Sequence, residues 1–183
     1  MPRLLLLRHA KSAAGDPGST DIDRPLANRG RRAASLVGEH LARHSLVPDR
    51  ILCSSSRRTR ETLAGLLLHL PGECEIRITT ALYQPKSGDY VDVISRGGGG
   101  ASTLLVIGHN PAMQETAALV IGAGNAALRE EAATRFPTAG LAVIDFDRDR
   151  WEEIGPASCR IVAFFRPKDL ELVGGENEPD EDG

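Results

Sequence analysis

The sequence predicts an α/β protein, a three-layer α/β/α sandwich around a mainly parallel central sheet. Three observations point there. Short apolar runs alternate with amphipathic stretches of helical period, clusters of Ser, Gly and Pro separate them, and the last apolar runs follow one another as a hairpin. The 183 residues, 41% of them hydrophobic, suit a single domain with a sizeable core. No apolar run approaches the roughly 20 residues of a membrane span, and no basic stretch with a long apolar core opens the chain. Cys53, Cys74 and Cys159 lack CxxC spacing, which argues against a disulfide framework or a structural zinc site; a reducing cytoplasm is the expected setting.

In chain order, residues 3–7 form an apolar run ending on Arg8-His9 and read as a buried strand. Residues 10–23, rich in Ala, Gly, Ser and Asp, read as a loop. Ala33, Leu36, Val37 and Leu41 recur at helical spacing within a helix over 27–44. Residues 50–53 form a second strand, and Ser54-Ser55-Ser56 can cap a helix over 57–69 whose stripe is Leu63, Leu66, Leu67 and Leu70. Residues 75–79 form a third strand with Ile76 and Ile78 alternating, and 83–96 hold a loop and a helix that stop at the glycines 97–100. A strand over 103–107 ends at Gly108-His109-Asn110-Pro111, and Pro111 suits the first turn of a helix over 112–121. Residues 140–146 and 159–165 are strands, and the turn 147–150 leads into 151–154 to complete a hairpin. One domain is expected over 1–169, followed by an acidic, disordered tail over 170–183.

The net charge of -3 conceals an asymmetry. Residues 171–183 carry six acidic side chains and no Lys or Arg, which leaves 1–170 at +3, and residues 1–60 alone hold 12 basic against 5 acidic side chains. Of the 22 cations, 19 are Arg, the side chain suited to grip phosphate or carboxylate through two parallel bonds. An anionic ligand for the first third of the chain is one reading, and a solvated basic surface is the other. Nucleic acid is not an expected partner, because aromatic residues are only 4% and no reading-helix motif accompanies Arg29-Gly30-Arg31-Arg32.

Chemistry gathers at three junctions. Arg8-His9 follows the first strand, Arg57-Arg58 the second, and His109-Asn110 the fourth. Loops beyond the carboxyl ends of strands form the ligand crevice of an open α/β sheet. Two imidazoles and at least two guanidiniums therefore converge on one edge, where helix N-termini after Ser56 and Pro111 add backbone donors. Such a pocket suits a tetrahedral dianion. An imidazole there can attack phosphorus and carry the phosphoryl group, while guanidiniums and a second imidazole hold its oxygens. Side chains supply the cations, so neither a metal nor another cofactor is expected. His9 and His109 lack Cys or carboxylate partners at zinc-ligand spacing. The serines 54–56 have no G-x-S-x-G elbow, and no Gly-Lys-Ser/Thr follows the glycines 97–100.

At these residues the sequence resembles the histidine phosphatase superfamily, whose phosphoglycerate mutase-like fold also serves many phosphatases. The matching pieces are Leu7-Arg8-His9-Ala10, the segment Cys53-Ser54-Ser55-Ser56-Arg57-Arg58-Thr59-Arg60-Glu61-Thr62, and Val106-Ile107-Gly108-His109-Asn110-Pro111. Arg8-His9-Ala10-Lys11-Ser12, Asp21-Ile22-Asp23-Arg24-Pro25-Leu26 with Arg29-Gly30, and Phe136-Pro137-Thr138-Ala139-Gly140-Leu141-Ala142 are similar to the phosphohistidine phosphatase (SixA-like) branch. The resemblance implies that His9 is the nucleophile, that Arg8, Arg58 and His109 complete the phosphate pocket, and that Arg24, Ser12 and Asn110 contact phosphate or substrate. Arg24 has a second reading, as the ion-pair partner of Asp21 or Asp23.

Two departures bear on substrate. Asn110 stands where one large branch places an acid, and the loop after the third strand, where the other branch takes its proton donor, offers only Asp89 and Asp92. An alkoxide leaving group needs a proton, whereas the P–N bond of a phosphorylated imidazole breaks more readily. The expected activity is a phosphatase that forms phosphohistidine on His9 and acts on protein phosphohistidine, with a phosphorylated protein domain as partner. A phosphatase of small phosphomonoesters or nucleotides and a non-catalytic phosphate-binding module are the alternatives.

Overall fold

Side chains of a strand point alternately to the two faces of its sheet, so a strand buried on both faces reads as a continuous apolar run. β1 (Arg3–Arg8) is such a strand, with Leu4, Leu5, Leu6 and Leu7 wholly buried. The computed structural model describes residues 1–15, 17–86 and 88–174. After β1 come α1 (Asn28–Arg43), β2 (Arg50–Ser54), α2 (Arg57–Leu67), β3 (Glu75–Thr79), α3 (Val91–Gly97), β4 (Thr103–Gly108) and α4 (Ala112–Val120). The chain continues through β5 (Ile121–Gly124), α5 (Ala126–Thr134), β6 (Leu141–Phe146), β7 (Cys159–Phe165) and α6 (Pro167–Gly174).

The seven strands lie in the order β3-β2-β4-β1-β6-β7-β5. The first four are parallel, β6 runs antiparallel to both β1 and β7, and β5 pairs parallel with β7. Helices cover both faces. Leu4, Leu6, Leu104 and Val106 meet Ile94 of α3, Met113 and Ala117 of α4 and Ala132 of α5 on one side. Leu5, Leu7, Leu105 and Ile107 meet Val37 and Leu41 of α1, Leu63 and Leu66 of α2 and Leu170 of α6 on the other. Truncating a central residue such as Leu6 to Ala would cost about 2–5 kcal/mol. No helix among the described residues is long and apolar enough to cross a membrane.

Three sequence expectations need correction. Residues 151–154 do not form a strand: Trp151–Glu153 is a 3-10 turn, and β6 pairs directly with β7. Trp151 is drawn inward, stacking on Phe146 at 5.4 Å and donating its indole N–H to the Ala101 carbonyl at 2.8 Å. β5 and α5 were not expected, because Ile121-Gly122-Ala123-Gly124 has no alternation and Ala132 is the only buried residue of α5, leaving no stripe to read. α6 carries regular structure past the expected domain end at residue 169, with Leu170 buried against the α1 side of the sheet. The rest of the expected acidic tail, 175–183, lies outside the described residues.

Candidate active site

Parallel pairing decides which residues meet at the sheet edge. Arg8 stands opposite Gly108, and Cys53 stands opposite Ile107. His9, His109 and Ser54 therefore leave three adjacent strands at nearly one level. The His9 backbone N–H donates to the Gly108 carbonyl at 3.0 Å, and the two imidazole centroids lie 5.1 Å apart. Gly108 is needed where it stands, because a Cβ there would come within 2.6 Å of the Tyr90 ring and hydroxyl. That close approach lets Tyr90 Oη accept from the His109 backbone N–H at 2.8 Å and donate to the Leu82 carbonyl at 3.0 Å.

His9 is buried and its tautomer is fixed. Nδ1 lies 2.8 Å from the Ala10 carbonyl, which can only accept, so Nδ1 carries the proton and Nε2 keeps its lone pair. Burial, with nearby Arg58, Arg8 and Arg24, lowers the His9 pKa from 6.5 to about 4, against the opposing pull of the Ala10 bond. His109 falls to about 3, through burial first and then His9 and Arg58. Both rings are neutral at pH 7. His109 Nε2 lies 2.8 Å from Ser54 Oγ, while its Nδ1 is buried without a partner among the described residues. A Ser54 hydroxyl that donates to Nε2 would leave Nδ1–H to meet an incoming oxyanion.

Arg58 opens α2, where Ser56 caps the helix by accepting from the Thr59 N–H. Thr62 of the same helix donates to the Arg58 carbonyl at 2.7 Å and accepts from the Ala10 N–H at 3.0 Å, which ties the His9 loop to the Arg58 helix. The Arg58 side chain is only 9% exposed and donates to the Asp21 carbonyl at 2.6 Å and to Asp21 Oδ2 at 3.0 Å. Arg8 donates from Nη1 to the Phe136 carbonyl at 2.8 Å, and its Nε is buried without a partner among the described residues. Buried donors left unpaired in this way are costly unless a ligand meets them. Two neutral imidazoles between fixed guanidiniums can hold a tetrahedral dianion, and His9 Nε2 can attack its central atom.

The profile of the histidine phosphatase superfamily (branch 1) matches residues 4–92. The uncharacterized protein Rv1276c of Mycobacterium tuberculosis is 37% identical over 88% of this chain and 100% of its own length. A protein assigned as the phosphohistidine phosphatase SixA of Agrobacterium tumefaciens is 31% identical, with a TM-score of 0.75 over 91% of this chain and 99% of that one. The chain belongs to the histidine phosphatase superfamily. Its sheet and helices are the phosphoglycerate mutase-like fold, and a second solved structure, the protein histidine phosphatase SixA complexed with tungstate, shares that fold at 20% identity and a TM-score of 0.70, covering 92% of this chain and 99% of that one.

Within this superfamily fold, the residues expected around the phosphate part into two groups. Arg8, His9, Arg58 and His109 come together at the ends of β1, β2 and β4. Arg24 and Ser12 lie at the rim and bond each other at 3.1 Å, and Arg24 also reaches Asp21 Oδ1 at 3.3 Å, the ion pair that was its second reading. Asn110 turns its amide N–H groups to the Phe136 carbonyl and to Gln114, and the atom it leaves unpaired among the described residues is an acceptor, Oδ1. An acceptor repels a phosphate oxygen, so this geometry suits bracing the carbonyl that also holds Arg8. Asp89 accepts from the Val91 N–H at 2.8 Å at the start of α3, and Asp92 faces Arg96 at 4.0 Å. Both line a groove of roughly 450 Å³ with Arg77 and Lys86, and that groove includes none of the four pocket residues. Among the described residues, no group of three or more His, Cys, Asp or Glu side chains could hold a metal ion.

The candidate pocket also gathers residues that pattern reading missed. Asp21 joins Arg58, Arg24 and Tyr83, whose hydroxyl donates to Asp21 Oδ2 at 3.0 Å and whose ring meets His109 edge-on at 5.6 Å. Ser54 looked like one of three capping serines, but only Ser56 caps. The available signal for Ser54 was its place as the last residue of a strand whose neighbour ends in a histidine.

Proposed function

We propose that this chain hydrolyses phosphohistidine carried on a protein, in the cytoplasm, through a phosphoryl intermediate on His9 and without a metal. Membership of the superfamily gives the coarser activity, a histidine-dependent phosphatase. The observation that carries the mechanism is the His9 tautomer: a buried, neutral ring with Nδ1–H on the Ala10 carbonyl and Nε2 unprotonated. Nε2 attacks phosphorus as the bond to the leaving group breaks. Arg8, Arg58 and His109 hold the three oxygens that carry the transferring charge. Water then attacks the phosphorus on His9, returning the imidazole and releasing phosphate. The guanidiniums of Arg8 and Arg58 provide the cationic contacts that a metal would otherwise supply, and the neutral His109 ring adds a hydrogen-bond donor.

Two features support phosphohistidine over an alkyl ester. Asp89 and Asp92 are engaged away from the four pocket residues. The relative of 31% identity is itself assigned as a phosphohistidine phosphatase. The test is phosphate release from a phosphohistidine-bearing protein and from p-nitrophenyl phosphate, with EDTA present, for the wild type and His9→Ala. Release that survives EDTA and disappears in His9→Ala is the expected result, with the protein substrate turned over faster. Tight phosphate binding without release from either substrate would instead support the non-catalytic module.

A further inference from the structure

The nucleophile lies at the floor of the pocket, since His9 is buried and its neighbours Arg8 and His109 stand at strand ends. In-line displacement therefore expels the leaving group toward the mouth. On the more exposed side of the buried cluster, Asp21 bonds Arg58, Tyr83 and Arg24, Arg24 bonds Ser12, and the Tyr83 ring meets His109 edge-on. Asp21 is 54% exposed and sits in a 3-10 turn, Asp21–Asp23, of the loop that follows β1. That loop is pinned at both ends. Ala27 N–H donates to the Lys11 carbonyl at 2.9 Å, and Leu26 N–H donates to Glu61 Oε2 at 2.7 Å. Gly30 lets the loop cross the start of α1, because a Cβ there would lie 2.2 Å from the Lys11 carbonyl oxygen.

The two oxygens of Asp21 are used unequally. Oδ2 accepts from Arg58 Nη2 and Tyr83 Oη, both at 3.0 Å. Among the described residues Oδ1 has one longer contact, Arg24 Nη1 at 3.3 Å. A carboxylate oxygen offers two lone pairs, so Oδ1 can accept another donor. Burial works to raise the Asp21 pKa, but the bonds from Arg58 and Tyr83 outweigh it and hold the carboxyl below its ordinary 3.8. The group is an acceptor at neutral pH and cannot serve as a general acid.

We propose that Asp21 is a catalytic residue that contacts the leaving group, accepting the N–H of the departing imidazole and so favouring phosphohistidine over phosphate esters. The inference rests on the phosphatase reading above and deepens it. A phosphorylated imidazole carries the phosphoryl group on one nitrogen and a titratable proton on the other, in the neutral range where imidazoles change charge. As His9 Nε2 forms its bond to phosphorus, the electron pair of the breaking P–N bond returns to the substrate ring. With the far nitrogen protonated the ring departs as neutral imidazole, and without that proton it departs as imidazolate, a far poorer leaving group. Asp21 Oδ1 stabilises the protonated ring. The substrate thereby brings the proton that an ester would need from an acid in the enzyme.

The test compares N-phosphorylated imidazole with p-nitrophenyl phosphate, whose phenolate departs without a proton, for the wild type and Asp21→Asn. Any disturbance of Arg58 slows both reactions. Loss of the leaving-group contact slows only the first. We expect kcat/KM on phosphoimidazole to fall at least about 10-fold further than on the ester, the scale of one hydrogen bond to a charged group. We also expect the alkaline limb of the kcat profile on phosphoimidazole, which reports the bound substrate, to move to lower pH in Asp21→Asn. Equal losses on the two substrates with an unmoved limb would overturn the proposal while leaving the phosphohistidine reading intact. A wild type that hydrolyses the ester through His9 but leaves phosphoimidazole untouched would overturn both.

Discussion

Two histidine pairs in this molecule hold their rings close, 5.1 Å apart for His9 and His109 and 4.3 Å for His40 and His44. Burial pushes one ring of each pair, His9 and His40, to about 4. The surroundings differ. His40 lies on α1 against Phe165 at 4.1 Å, with its Nε2 buried and unpartnered among the described residues, and His44, at the C-cap of α1, and Arg43 add to the depression. His9 lies where parallel strands end together, its tautomer fixed by a carbonyl and its ring among Arg8, Arg58 and Arg24. A depressed imidazole therefore reports burial at both places. Only the fixed lone pair and the surrounding guanidiniums make one of them suited to phosphoryl chemistry.

The largest contrast expected is between two alanine variants. His9→Ala should lower phosphatase turnover by about 10⁴-fold or more, the scale seen when a covalent nucleophile is removed, whereas His40→Ala should keep kcat within a few-fold, roughly the scatter of sites outside the chemistry. A comparable loss in both would erase the distinction. Next comes Arg58→Ala, expected to cost about 10²–10³-fold in kcat, as for other donors aimed at transition-state charge. Its readout is steady-state kinetics beside a melting curve that shows the fold retained.

The smaller effects concern pH. In the unfolded chain these histidines take up protons near 6.5, but in the fold His9 and His40 do so only near 4 and His109 near 3. Their stability contribution is therefore intact above pH 6.5 and is lost as pH falls toward 4, because the unfolded state binds more protons across that range. Thermal melts between pH 7.5 and 4.5 read this directly. For the same reason the acid limb of kcat/KM should lie near pH 4, where His9 protonates, and not near 6.5. The smallest effect is His40→Phe, which removes a buried titratable ring and should flatten part of the stability slope without changing turnover.

The four residues of the candidate pocket were legible as a cluster because each lies at or just past a strand end or in the first turn of a helix, and parallel pairing brings such positions together whatever the loops do. Asp21 was harder to read. It lies in a loop without periodicity, and its contacts to Arg58 and Tyr83 span 37 and 62 residues of sequence. Ser54 hid within a run of three serines, where only its strand register separates it from the cap. The same logic governs the fold. β1, β2 and β4 announce themselves as apolar runs, while α5 buries a single alanine and offers no stripe. Trp151 broke the hairpin reading because its ring finds a place against Phe146 and the Ala101 carbonyl, contacts that local pattern does not encode.

The most direct test of a phosphoryl intermediate on His9 is to quench the enzyme in alkali during turnover of p-nitrophenyl phosphate and map the phosphopeptide by mass spectrometry. A phosphorus–nitrogen bond on a histidine survives alkali and is lost in acid. The mechanism predicts one acid-labile phosphoryl group on His9, absent from His9→Ala. Full turnover with no phosphoryl group on the protein, or with the group on His109, would contradict it.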